Sequence, residues 1–188
     1  MGLGQTMLTV GFLVLLTIAV INANKLIVDK DESYYKAEAY KQASLLANSL
    51  ITEIQTKKFD SQYNASYTGM QPTSQFDPPS AMGPGTTASN YVNPGGAADT
   101  YPYKSVRGDN PTYYFDDVDD YNGYIRSANT STLTGFTLTV SVYYVYPSNT
   151  DLKSNWSAQY TKRIDVTVSN SKYLDKDLVF SAIAYYDY

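Results

Sequence analysis

Neither cysteine nor histidine occurs anywhere in the 188 residues. Without cysteine there is no disulfide, no thiolate zinc site and no thiol nucleophile, and without histidine the commonest general base and transition-metal ligand are missing. Most enzyme classes are disfavoured, and the chain is read as a non-enzyme. Positive charge is scarce too. The 14 Lys and Arg stand against 18 Asp and Glu, a net charge of -4, which is the wrong sign for a nucleic-acid-binding surface. No basic residue precedes Lys25, and neither Pro nor Gly falls between residues 12 and 68.

What is present divides sharply. "MGLGQTMLTVGFLVLLTIAVINAN" carries no charged side chain, and as a helix its 24 residues would reach about 36 Å, enough to cross a bilayer core. Its few polar side chains, Gln5, Thr6, Thr9, Thr17, Asn22 and Asn24, make no polar face of the kind a soluble helix shows. A secretory signal peptide is the rival reading, with an apolar run from Met7 to Ile21 and Ala23 near a cleavage point; the basic n-region is missing. One explanation is that Met1 is a processed end from which a basic leader was removed.

The helical pattern continues past the apolar run. Ala39, Ala43, Leu46, Leu50 and Ile54 follow at spacings of 4, 3, 4 and 4, with Ala47 and Ile51 beside them, an apolar stripe of helical period. The expectation is one helix of about 55 residues: a hydrophobic half over residues 1–24 and an amphipathic half over 25–59. The first half needs lipid or other helices around it, and the second needs one flat partner.

Between residues 60 and 111 the pattern stops, and seven of the eight prolines arrive amid Gly, Ser, Thr, Asn and Tyr. This reads as a long surface loop with a use at an interface or short strands of its own. Strand signals then fill residues 112–188: "TYYF", "GYIRS", "GFTLTVSVYYVYP" with Phe136, Leu138, Val140 and Val142 alternating with Thr and Ser, "RIDVTVS" with Ile164, Val166 and Val168, and "DLVFSAIAYY". They predict an antiparallel sheet of about four strands with the Ala39 to Ile54 stripe as its cover, an α+β fold. Many of the 20 tyrosines fall in these segments, where tyrosine suits half-buried strands.

A hydrophobic N-terminal helix prolonged into an amphipathic half, then a variable loop and a C-terminal antiparallel sheet, resembles the type IV pilin superfamily, which includes the pseudopilins of type II secretion. "FDDVDDYNGY" at residues 115–124 is similar to a turn of minor pilins of the mannose-sensitive haemagglutinin type. The resemblance implies a structural subunit of an extracellular surface filament, anchored in the inner membrane before assembly. It implies homopolymerisation through a helix bundle whose core would be Gln5, Leu8, Phe12, Leu15, Leu16, Ile18 and Ile21, and dependence on assembly machinery: a prepilin peptidase, an ATPase and a membrane platform. The chain departs from the family in two places. The processed end usually reads Phe-Thr-Leu-Ile-Glu, whereas here it is "MGLGQ", with Gln5 in the carboxylate's place; the helix-breaking proline near position 22 is replaced by Asn22. Loss of the carboxylate would suit a minor tip subunit or a divergent filament lineage. The alternative from another class is a membrane-anchored or secreted monomeric binding or adhesion module using the tyrosine-rich loop.

Asp116, Asp117, Asp119 and Asp120 lie within five positions, and three readings stay open for them. They form a structural turn with Asn122-Gly123 and Asx hydrogen bonds, a cation site, or an acid and base pair, for which nothing else in the chain suggests a cleft. No cofactor is otherwise expected. If a cation binds, calcium matches the ligand chemistry, and some pseudopilins hold calcium in C-terminal loops; the EF-hand spacing fails, since Tyr121 and Asn122 follow where an acid and a glycine belong. Asn64, Asn129 and Asn155 begin N-glycosylation sequons, and Arg107 to Asp109 spell an integrin-type tripeptide; both patterns arise readily by chance.

Overall fold

The computed structural model describes residues 2–62, 69–83, 99–100 and 117–187. The fold is α+β: one long helix, α1 (Leu3–Gln55, 53 residues), and an antiparallel sheet. The strands are β1 (Asp99–Thr100), β2 (Ile125–Ala128), β3 (Phe136–Tyr146), β4 (Asn149–Lys153), β5 (Thr161–Ser169) and β6 (Leu178–Tyr185). Their order is β1-β2-β3-β5-β6, with β4 paired to β3 beyond a register shift at Val145/Tyr146. The expected strand at residues 112–115, the Arg107 to Asp109 tripeptide, Asn64 and Asp116 lie outside the described residues. The short strand β4 was not anticipated, whereas β1 is a short strand of the kind allowed for in residues 60–111. The exposed polar residues of β4 carry no alternating apolar signal.

Two compact units divide the chain, Met1–Tyr40 and Lys41–Tyr188. In the first, α1 is helical and its large apolar side chains are exposed on every side. Leu8, Phe12, Leu15, Leu16, Ile18 and Ile21 are each at least half exposed, and Gln5 is exposed with them. The helix is long and apolar enough to cross a membrane. Two of its threonines are compatible with that, because Thr9 Oγ1 donates to the Gln5 carbonyl (2.6 Å) and Thr17 Oγ1 to that of Leu13 (2.8 Å). Each hydroxyl is thus satisfied by its own helix.

In the second unit, the end of α1 buries one stripe and the sheet buries one face. Ala43, Ala47, Leu50, Ile51 and Ile54 are buried, while Leu46 is only half-buried, so small alanines let the helix approach closely. On the sheet, the register sets Leu138 opposite Val168, Val140 opposite Val166, and Val142 opposite Ile164. Period-two alternation puts all six on one face, and all six are buried. Two polar residues at the end of α1 tie it to the rest of this unit. Gln55 Nε2 donates to the Ile183 carbonyl (3.4 Å), and the Glu53 carboxylate receives Arg126 Nη2 (3.0 Å) and Tyr121 Oη (2.9 Å).

Candidate functional site

The alternation of β5 extends one step beyond its apolar residues. Lys162 lies in phase with Ile164, Val166 and Val168, opposite Tyr144 on β3 and Ala184 on β6, so the strand that builds the core also carries a lysine into it. Lys162 is fully buried. An ammonium has three N–H donors and no acceptor, and all three are used: Nζ donates to the Phe59 carbonyl (2.5 Å), to Asp60 Oδ2 (3.1 Å) and to Asp119 Oδ1. The rings of Phe59 and Tyr144 lie over it, with centroids 4.5 and 5.0 Å away. Phe59 in turn packs on Phe76 and Tyr186, which closes that side with aromatic carbon.

The aspartates reach this lysine from segments far apart in sequence. Just past the end of α1, Asp60 Oδ1 accepts the backbone N–H of Gln62 (3.0 Å), and Tyr144 Oη lies 2.9 Å from both Asp60 Oδ2 and the Asp77 carbonyl. A parallel bridge between Lys58 and Asp117, with Val118 N donating to the Lys58 carbonyl (2.9 Å), brings the acidic turn alongside. Within the turn Asp117 and Asp120 cap each other. Asp117 Oδ1 accepts the N–H groups of Asp119 (3.0 Å) and Asp120 (3.1 Å), while Asp120 Oδ2 accepts that of Asp117 (3.1 Å). This reciprocal arrangement follows capping-box logic and starts the 3-10 turn Asp119–Tyr121.

The turn then reverses as its residues require. Asn122 is extended (φ -65°, ψ 117°), Gly123 has φ 81°, and Tyr124 N donates to the Tyr121 carbonyl (2.9 Å). These are the features of a type II turn, whose third residue needs positive φ and hence glycine. Asn122 Oδ1 accepts the Val142 N–H (3.1 Å), pinning the turn to β3. Residues 117–124 thus form a structural turn closed by aspartate and Asn122 side-chain hydrogen bonds.

The electrostatics are lopsided. Asp60, Asp117, Asp119 and Asp120 are all buried, and among the described residues Lys162 is the one buried ammonium beside them. Asp117 takes the consequence: burial first, then the charges of Asp119 and Asp120, push its carboxyl up to about 10, so it is a neutral acid at pH 7. It donates its proton to Asp119. Burial likewise raises Asp119, against the pull of Lys162. Tyr144 and Tyr121 are raised by burial and by the nearby carboxylates of Asp60 and Glu53 respectively.

Of the four aspartates singled out in the sequence, Asp117 and Asp119 meet, with Asp77, so that one carboxylate oxygen of each lies within 4.8 Å of the others. Asp120 is occupied in capping, and Asp119 has Lys162 as its counter-ion. Asn129 and Asn155 are exposed, with Asn129 Oδ1 accepting the Gly135 N–H (2.9 Å). Sequence reasoning missed Lys162, Asp60 and Asp77. The signal for Lys162 was present, a lysine in phase with an apolar strand face; nothing local marks the other two.

Compared with known protein families, curated proteins and solved structures, the chain matches none.

Proposed function

We propose that the protein is a structural subunit of an extracellular filament of the type IV pilin kind, which polymerises through its N-terminal helix. The observation that carries this reading is the contrast along α1. An 18-residue apolar window is wholly unburied, yet the same helix ends in a stripe fitted to a sheet. A simple anchor needs the first feature and has no use for the second, whereas a filament subunit needs both: an apolar rod to bundle and a folded head to display. Before assembly the apolar half would sit in the inner membrane, where its satisfied threonine hydroxyls are tolerated. Gln5 replaces a carboxylate by a neutral amide, which lowers the cost of holding that position in lipid or in a bundle core. Assembly would rely on the peptidase, ATPase and membrane platform that such filaments use.

Electron cryo-microscopy of filaments sheared from the source cells tests the reading. Helical averaging should give a fibre into which this chain can be traced, with residues 3–24 forming the central bundle. A chain found only in the membrane fraction, in no fibre, would instead favour the anchored binding module or a tip subunit.

A further inference from the structure

We propose that the head forms an intramolecular amide cross-link between Lys162 Nζ and the side-chain carboxyl of Asp119, made by the chain's own residues without any other reactant. The inference goes beyond the filament reading and holds for the folded head whether or not the chain polymerises.

Condensation of an amine with a carboxyl needs the two held in contact, shielded from water, beside one group that polarises the carboxyl and another that moves protons. All four conditions meet here. Lys162 Nζ touches Asp119 Oδ1, and near-attack geometry asks for reacting atoms about 3–3.5 Å apart, which contact with Oδ1 brings within reach for Cγ. Both side chains are at most 1% exposed, and the rings of Phe59 and Tyr144 cover the lysine. Asp117 is the neutral acid hydrogen-bonded to Asp119. Asp60 Oδ2 accepts from Nζ at 3.1 Å and is placed to carry a proton.

The surroundings also favour the product. A buried ion pair must overcome the desolvation of both charges, and this one is crowded by further carboxyls. Amide formation removes one positive and one negative charge together. In the step, Nζ first gives a proton to the Asp119 carboxylate, leaving an amine and a carboxylic acid. The nitrogen lone pair attacks Cγ while the Asp117 O–H supports the oxygen on which negative charge develops. Asp60 then takes a second proton from nitrogen and returns it to the departing hydroxyl. One C–N bond forms, one C–O bond breaks and one water leaves, with no oxidation or reduction.

The bond would tie β5 to the acidic turn and close a loop across 43 positions, in a chain with no cysteine to make a disulfide. Intact mass spectrometry of the full chain purified in detergent tests this directly. The wild-type mass should fall below the sequence mass by one water, and digestion should give a branched peptide joining Asp119 to Lys162, with no tryptic cut after Lys162. Asp119→Ala should restore the full mass and the tryptic cut. Asp117→Ala keeps both reacting groups, and in it the cross-linked fraction should drop at least severalfold. A wild-type chain of unmodified mass, cut normally after Lys162, overturns the proposal even if no variant folds. A calcium-induced rise in its melting temperature would then assign the cluster to a cation. Complete cross-linking in Asp117→Ala would overturn the part given to Asp117.

Discussion

The apolar half of α1 and the head fail alone in opposite ways. Residues 3–28 satisfy their own backbone hydrogen bonds and leave their large apolar side chains in the open. The head, from Lys41 onward, buries its apolar side chains and must then find partners for charges that went in with them. The first region is short of neighbours and the second is short of counter-charge. Burial that is non-directional can be completed by lipid or by other copies of the chain, whereas a buried charge is satisfied only by particular atoms at particular distances. The difference explains why one chain can pair an adaptable rod with a tightly specified head.

Substitutions that touch one region and spare the other sharpen this contrast. The largest effect is expected from Leu15→Lys, which places a charge on the apolar half; filament yield, counted by negative-stain microscopy, should fall below detection while the near-ultraviolet circular dichroism of the head is unchanged. Normal fibres from this variant would break the comparison. Next comes Lys162→Ala. The variant lacks the proposed cross-link and leaves Asp60 and Asp119 buried with no ammonium beside them; an uncompensated buried charge costs about 3–5 kcal/mol, so chemical denaturation should show the head weakened by at least roughly that amount, with membrane insertion unaffected. Glu53→Ala should be milder. It strips Arg126 and Tyr121 of a shared carboxylate, and a hydrogen bond to a charged group contributes about 1.5–3 kcal/mol; an unchanged denaturation midpoint would show that the helix end is held by packing alone.

The smallest effects, taken per pH unit, are in pH dependence, and two carboxyls give opposite signs. Asp117 is raised by burial to about 10, so the folded head keeps a proton that the unfolded chain has already released. Stability should therefore be greatest in acid and decline as pH rises from the ordinary carboxylate range toward 10, by at most about 1.4 kcal/mol per pH unit for one proton. Asp165 is lowered: burial opposes this, but hydrogen bonds from Ser181, Tyr143 and Arg163 prevail. Its contribution is present above the ordinary carboxylate pKa and lost as pH falls through its own. Melting temperatures across pH should lose the alkaline slope in Asp117→Asn and the acid slope in Asp165→Asn.

The two regions were also unequally legible in the sequence. Helical period and strand alternation are local, so α1 and the pairing of β3, β5 and β6 could be read from spacing alone. The acidic turn was visible, and its asparagine and glycine forecast a reversal. Its meaning was not, because Asp60, Asp77 and Lys162 join it only through contacts spanning about 40 to 102 positions, and a single sequence has no period that reports such distances. Only Lys162 had a local signal, a polar residue where the strand face demanded an apolar one.

The Phe59 carbonyl accepts its proton from Lys162, 103 residues later. The place where α1 ends is thus secured by a strand that leaves the ribosome long after the helix has formed. Closing so long a stretch of chain is entropically slow, and until β5 arrives, Asp60 and the acidic turn have no ammonium between them. The helix can be made and lodged in a membrane early in synthesis, while the head sets late and all at once. A chain built this way keeps its two ends on separate clocks.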